Sequence, residues 1–206
     1  MAGIWLLHRA VRPCLVVVCS LPALHLLFKA LFDQLGPNPA EALIRGTGDW
    51  TLRGLCVVLA VTPVRIVFQL PALARLRRTL GLTVFAYAML HLLCYAWLDM
   101  GLEWADLVQD IAKRPFILVG FVSWLVLLAL AATSFNAAVR WLGGRRWQWL
   151  HRAVYLVAPL AILHFYWMRA GKQNFNDVVM YALVLAVLLG WRMRRAWRHS
   201  HNQRGV

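Results

Sequence analysis

Long apolar runs separated by short charged connections make up nearly the whole chain. Six of these runs are long enough to cross the hydrocarbon core of a bilayer as helices, which takes about 20 residues. The predicted fold class is an all-α integral membrane protein, in which the chain 1–206 forms a single transmembrane domain. We place its six transmembrane helices at residues 13–32, 50–68, 79–98, 115–134, 149–168 and 175–191.

The composition and the connections agree with a membrane protein. Hydrophobic residues make up 62% of the chain, whereas about half is usual in soluble domains. Tryptophans near span ends, among them Trp147, are attributed to an interfacial aromatic belt. The acidic connection before the fourth span predicts a short interfacial helix, because its apolar residues fall on one side of a helix. These residues are Leu102, Trp104, Leu107, Val108 and Ile111.

The charges of the connections predict the orientation of the chain. Arginines cluster at one set of span ends with no acidic residue among them, and all eight acidic residues lie toward the opposite ends. Because Lys and Arg of short loops are retained in the cytoplasm, both termini should be cytoplasmic. The formal charge of +14 does not gather on one amphipathic face, which argues against a nucleic-acid partner.

Two histidines lie inside predicted spans at matching depth. At ~1.5 Å rise per residue, His91 lies ~18 Å into the third span and His164 ~22 Å into the fifth. Ionisable side chains are rare in such helices and usually face a cavity or a partner group. Two imidazoles at one depth on facing helices suit bis-histidine ligation of haem. The alternative is that each ring bonds only to a neighbouring Ser, Thr or carbonyl group.

His151 lies near the inner end of the fifth span, roughly 20 Å in depth from His164. A haem in the outer half alone would leave an insulating gap to the cytoplasm, so a second redox group should lie near the inner face. His151 is its candidate anchor, although an interfacial histidine can also simply be solvated. An inner haem with an unusual sixth ligand and a flavin both stay open. The arginines that could contact a propionate or a flavin phosphate are Arg77, Arg78 and Arg152, with Arg140, Arg145 and Arg146 nearby.

The fifth span poses a geometric problem. Thirteen residues of straight α-helix turn His151 and His164 roughly 140° apart. Pro159 lies between them, and we predict that it kinks or re-winds the helix. His25, in the outer half of the first span, is a rival ligand at nearly the depth of His91.

Several motifs taken together resemble one known family. They run from Arg75 to Leu82 and on to His91 and Tyr95, and continue with Arg114-Pro115-Phe116, Ser123-Trp124, Thr133-Ser134, Trp147 to Leu156, and His164-Phe165-Tyr166-Trp167. This set resembles the MsrQ (YedZ) family, the haem-binding membrane subunit of the bacterial periplasmic protein-methionine-sulfoxide reductase system. More broadly it is similar to ferric-reductase-like transmembrane domains. The resemblance covers most of the chain and is weakest at both termini.

That resemblance implies a ferric-reductase-like haem-binding bundle in which His91, His151 and His164 are ligands of haem iron. It gives no role to His25. Relatives with two haems often carry two histidines on each ligand helix, whereas the third span here has one, so either one haem b or two can be expected. FMN alongside haem b is also implied by the resemblance, and a flavin would agree with the open inner site.

The implied function is that of a membrane cytochrome b in the bacterial inner membrane. It would carry electrons from the quinone pool or a cytoplasmic flavin reductase to a periplasmic molybdopterin-containing methionine sulfoxide reductase, which repairs oxidised periplasmic proteins. The chain would then be an electron-transfer subunit and not the catalytic subunit. Two alternatives stay open: a ferric-reductase-like metal or oxygen reductase, and a non-redox membrane transporter or assembly factor whose histidines are bonded structurally.

Overall fold

The computed structural model describes residue 6, residues 8–170 and residues 174–202, the side chains of 199–202 excepted. These residues are helical apart from short connections. In chain order the α-helices are α1 (Val11–Leu31), α2 (Pro39–Val67), α3 (Arg77–Cys94), α4 (Trp104–Lys113), α5 (Pro115–Ala132), α6 (Asn136–Leu142), α7 (Gly144–His151), α8 (Val154–Ala170) and α9 (Asn176–Asn202). A 3₁₀ segment at Pro71–Leu76 leads into α3, and a π-helical turn at Tyr95–Asp99 continues it.

Within the described residues, six helical stretches are long and apolar enough to cross a membrane. The predicted number of spans is therefore confirmed, and the chain is a multi-pass membrane protein. The stretches are Val11–Leu31, Pro39–Val67, Pro71–Asp99, Pro115–Ala132, Gly144–Ala170 and Asn176–Arg198. Many large apolar side chains on their outer faces are exposed in the isolated chain, as expected of surfaces that contact lipid.

The helix that contains the second predicted span begins before that span. α2 starts at Pro39, so residues 39–49, which lie between the first two predicted spans, are helical. The Asn38 side chain accepts a hydrogen bond from the Glu41 backbone N–H at 3.1 Å, and Pro39 occupies the first turn. Thr47 donates its hydroxyl hydrogen to a carbonyl one turn earlier, at 2.7 Å. The polar groups that made the segment resemble a loop are therefore satisfied within a helix.

The fifth span is re-wound near His151 and not at the predicted proline. α7 ends at His151 and α8 begins at Val154. Between them the backbone N–H groups of Arg152 and Ala153 donate to carbonyls three residues back, at 3.1 and 2.9 Å, which is the tighter 3₁₀ pattern. Pro159 lies inside the continuous helix α8. A change of winding at Arg152 and Ala153 therefore separates the two histidine positions into different helices.

Two helix pairs build the centre of the bundle. α2 packs along α3, α5 packs along α8, and contacts between α3 and α5 join the pairs. α9 packs against α2 and α8. The buried core between these helices consists of Leu52, Leu55, Leu59, Val84, Ala88, Leu127, Val157, Ala158, Phe165, Val178 and Leu185.

Tyr87 of α3 ties the peripheral helix α1 to this core. Its hydroxyl donates to the Cys19 carbonyl at 2.7 Å and accepts from the Ala23 backbone N–H at 3.0 Å. In a regular helix these two backbone groups bond to each other, so the hydroxyl contacts both partners of one step in the hydrogen-bond ladder of α1. α1 buries none of its own residues. Its attachment therefore includes this polar contact, one helical turn from His91.

The predicted interfacial helix before the fourth span is α4. Trp104 and Val108 are exposed on it, whereas Leu107 is buried. Asp110 of α4 accepts a hydrogen bond from the Tyr95 hydroxyl at 2.7 Å and pairs with Arg114 at 2.8 Å. These bonds fix α4 between the end of the third span and the start of α5.

The orientation of the bundle stays a prediction from the charges. A fluorescent protein fused to the C-terminus should fluoresce, and alkaline phosphatase fused there should be inactive, because that end is expected in the cytoplasm. Fusions in the acidic connection before α4 serve as the matched control and should give the reverse result. Active phosphatase at the C-terminus would contradict the predicted orientation.

Candidate functional site

The structure brings His91 and His164 together. His91 lies on α3 and His164 on α8, and their ring centroids are 6.1 Å apart with an angle of 80° between the ring planes. Both side chains are partly buried. The sequence predicts two facing imidazoles at one depth, and the folded chain contains them. His91 and His164 form the facing pair.

Each ring of the facing pair bonds through Nδ1 to a backbone carbonyl of a neighbouring helix. His91 Nδ1 lies 2.8 Å from the Ile44 carbonyl oxygen of α2, and His164 Nδ1 lies 2.7 Å from the Phe116 carbonyl oxygen of α5. A carbonyl oxygen can only accept, so Nδ1 carries the proton in both neutral rings. Nε2 then holds the lone pair. The carbonyl bonding that the sequence offers as an alternative is thus present at Nδ1, and the lone pair that a metal would need is on Nε2.

This pair fits a metal that brings further ligands of its own. In the part of the chain that the structure describes, no group of three or more His, Cys, Asp or Glu side chains could hold a metal ion. Metal–imidazole bonds are about 2.0–2.1 Å long, so two rings on opposite sides of one ion have centroids about 6 Å apart. Haem iron takes its equatorial ligands from the porphyrin and its axial ligands from the protein. The observed spacing of 6.1 Å therefore fits haem iron.

His151 lies apart from the facing pair, beside Thr133 and Trp147. Its Nε2 atom is 3.2 Å from the Thr133 hydroxyl, which itself donates to the Ala129 carbonyl at 2.7 Å. The hydroxyl has one hydrogen to donate, so His151 Nε2 is the donor in their bond. This tautomer is the reverse of that in the facing pair.

Trp147 covers one face of the His151 ring. The two ring centroids are 4.0 Å apart in a stacked arrangement, and the indole N–H donates to the Thr133 carbonyl at 2.8 Å. The sequence assigns Trp147 to an interfacial belt, and in the structure this tryptophan also makes these two contacts. Trp147 and Thr133 together fix the orientation of His151.

The arginines proposed for a propionate or phosphate have different surroundings. Arg78 donates to the Asn136 side-chain oxygen at 2.7 Å, so it is engaged by α6. Arg77 lies close enough to His151 to act on it electrostatically. Arg152 follows His151 and lines a basic pocket, whose other residues are Arg145, Arg146, Gln148 and Trp149. Arg77 and Arg152 therefore lie near His151, and the pocket offers several guanidinium groups to an anion.

The other histidines lie elsewhere. His25, the rival ligand, is exposed on α1. His8 is also exposed, and its Nδ1 accepts a hydrogen bond from the Ala10 backbone N–H at 3.2 Å. The side chains of His199 and His201 lie outside the described residues.

Sequence reasoning misses the groups that hold these histidines. The carbonyls of Ile44 and Phe116 carry no sequence signal, because every residue has a carbonyl and the fold decides which one a ring can reach. Thr133 offers a weak signal, as a polar residue at the end of the apolar run of α5. No such signal links it to His151.

Comparison with known proteins gives one consistent family. Residues 46–162 match the family described as ferric reductase like transmembrane component. This stretch includes His91 and His151 and ends just before His164. No solved structure matches the chain.

Similar curated proteins carry the name protein-methionine-sulfoxide reductase heme-binding subunit MsrQ. The one from Polaromonas naphthalenivorans is 60% identical over 97% of this chain and 91% of its own length. Those from Ralstonia nicotianae and Herminiimonas arsenicoxydans are 51% and 47% identical. They match 92% and 91% of this chain, and 88% and 86% of their own lengths.

Proposed function

The chain belongs to the MsrQ family of protein-methionine-sulfoxide reductase heme-binding subunits, and from that premise we propose that it is a membrane cytochrome b. Its proposed role is to carry electrons across the bacterial inner membrane to a periplasmic, molybdopterin-containing methionine sulfoxide reductase subunit. The observation that carries the proposal is the facing pair, with two imidazoles 6.1 Å apart in the tautomer that ligation requires.

His91 and His164 are the residues that would hold one haem b. When bound, haem supplies a one-electron carrier that alternates between ferric and ferrous iron. The Ile44 and Phe116 carbonyls hold the rings with Nε2 deprotonated, so neither ring has to lose a proton before it binds iron. These residues can hold a redox group, and we assign them no part in substrate chemistry.

His151 is the proposed anchor of the inner redox group, which would receive electrons from the quinone pool or a cytoplasmic flavin reductase. A flavin such as FMN is favoured there over a second haem. The Thr133 hydroxyl occupies His151 Nε2, the usual ligating nitrogen, and Trp147 covers one ring face. The guanidinium groups of the basic pocket suit a flavin phosphate.

Replacing either member of the facing pair should remove the low-spin haem. His91→Ala and His164→Ala each delete one of the two proposed haem ligands, so the reduced-minus-oxidised spectrum of the purified protein should lose its low-spin bands and bound haem should fall several-fold. His25→Ala is the matched control, because His25 is exposed on α1, and its spectrum should equal that of the wild type.

Two outcomes would contradict this ligand assignment. Wild-type protein that is colourless after purification from haem-replete cells would exclude a cytochrome. A His25→Ala variant without haem, together with a His164→Ala variant that retains it, would move a ligand to α1.

The inner site gives a separate prediction. His151→Ala should retain full haem content and the wild-type spectrum, because His151 bonds to Thr133 and stacks on Trp147 away from the facing pair. Reduction of the haem by a quinol analogue, or by NADH with a flavin reductase, should become slower in a stopped-flow measurement. His8→Ala is the control for loss of an exposed histidine. Loss of half of the haem from His151→Ala would instead assign His151 to a second haem.

The proposed electron acceptor can be tested directly. Reduced protein mixed with the oxidised periplasmic molybdopterin subunit and methionine sulfoxide should be reoxidised rapidly, whereas a ferric chelate should reoxidise it slowly. Absorbance of the reduced haem measures both rates. Rapid reoxidation by the chelate and none by the periplasmic subunit would favour the metal-reductase alternative.

A further inference from the structure

Two glycines lie directly beside the two imidazole rings of the facing pair. A Cβ atom added to Gly48 of α2 would lie 3.1 Å from both Cε1 and Nδ1 of His91. A Cβ atom added to Gly120 of α5 would lie 2.9 Å from the same two atoms of His164. Both distances are shorter than an ordinary van der Waals contact, and the ring atoms belong to a rigid plane. An alanine at either position would therefore push against the imidazole.

Each glycine follows by four residues the carbonyl to which its histidine bonds. Gly48 follows Ile44, and Gly120 follows Phe116. Residues four apart lie on one face of a helix, and each Cα–Cβ bond tilts toward the helix N-terminus. A side chain therefore covers the turn that precedes it, where the carbonyl in question is located. A glycine leaves this carbonyl open from the side.

The carbonyl oxygen has two lone pairs, and this arrangement uses both. In a regular helix the carbonyl of residue i accepts the backbone N–H of residue i+4, which here is the glycine itself. The second lone pair remains available to a donor that approaches from outside the helix. The imidazole Nδ1–H is that donor, at 2.8 Å for His91 and 2.7 Å for His164.

Other described glycines of the helices have different neighbours. Added Cβ atoms at Gly46 and Gly54 of α2 would lie 2.8 Å from aliphatic side-chain atoms of Leu26 and Val84, as in ordinary close packing of membrane helices. Gly81 of α3 and Gly190 of α9 would meet nothing within 4 Å. Substitutions of these other glycines can therefore serve as controls, Gly54 for an effect of helix packing and Gly81 or Gly190 for an effect of helix propensity.

We infer that Gly48 and Gly120 are positioning residues for the two proposed haem ligands. Because each glycine has no side chain, the helix surface beside the ring is uncovered. The imidazole can therefore donate Nδ1–H to the carbonyl one turn earlier. This contact fixes the tautomer of the ring and its plane, and the two contacts together set the angle of 80° between the planes. The inference rests on the proposed function, since it assumes that the facing pair binds haem.

The consequence for a bound haem has a definite direction. A hydrogen bond donated from Nδ1–H makes the ligating nitrogen more basic, which favours ferric iron. Weakening that bond should shift the midpoint potential to more positive values. The angle between two axial imidazole planes also sets the largest g value of low-spin ferric haem. Rotation of either ring should therefore change the EPR spectrum.

The test compares Gly48→Ala and Gly120→Ala with three control substitutions in the full-length, haem-loaded protein. The first two variants should show a shifted largest g value, a more positive midpoint potential and about 10-fold weaker haem retention. The effects should be larger for Gly120→Ala, whose Cβ lies nearer its ring. Gly54→Ala, Gly81→Ala and Gly190→Ala should keep the wild-type g values and potential, even where Gly54→Ala lowers thermal stability.

Unchanged g values and potential in both Gly48→Ala and Gly120→Ala would overturn the inference and leave the haem proposal intact. A g shift of the same size in Gly54→Ala would also overturn it, because ordinary helix packing would then be the cause. If Gly120→Ala does not accumulate in membranes, the Gly48→Ala variant alone tests the inference. Its Cβ would displace the His91 ring by only tenths of an ångström, so this variant should still fold. Wild-type protein that binds no haem would instead be a failure of the proposed function.

Discussion

A hydrogen bond from an imidazole to a helix carbonyl is the interaction on which the candidate site depends. In hydrocarbon an unpartnered polar group costs about 2–7 kcal/mol, so a histidine inside a membrane bundle must satisfy its N–H. His91 and His164 do so on the Ile44 and Phe116 carbonyls. The same bond decides which ring nitrogen keeps a lone pair. The hydrogen bond that satisfies the N–H inside the membrane therefore also leaves on Nε2 the lone pair that can bind a metal.

The bundle repeats one local arrangement in its two central helix pairs. In each pair one helix carries the histidine and the other supplies the carbonyl, with a glycine four residues later. α2 supplies the carbonyl and the glycine for the histidine of α3, and α5 supplies them for the histidine of α8. Contacts between α3 and α5 bring the pairs together, so the rings face each other across the junction. At the far end of α5, Thr133 engages His151 through Nε2, and this difference separates the inner site from the facing pair.

The sequence predicts much of this fold because membrane physics leaves a strong signal. Six spans and the juxtaposition of His91 and His164 follow from apolar length and from depth along two helices. The start of α2 does not follow, because Asn38 and Thr47 look like loop residues until capping and back-bonding satisfy them. The partners of the rings are harder still. Carbonyl groups are identical in sequence, and the tautomer depends on which one the packing brings within reach.

An experimental density map of the purified, haem-replete protein would test the central claim most directly. The expected result is an iron atom bound by Nε2 of both His91 and His164, with each Nδ1 still within hydrogen-bond distance of the Ile44 or Phe116 carbonyl. Iron bound through Nδ1, or haem bound by other side chains while both imidazoles bond only to backbone, would contradict it.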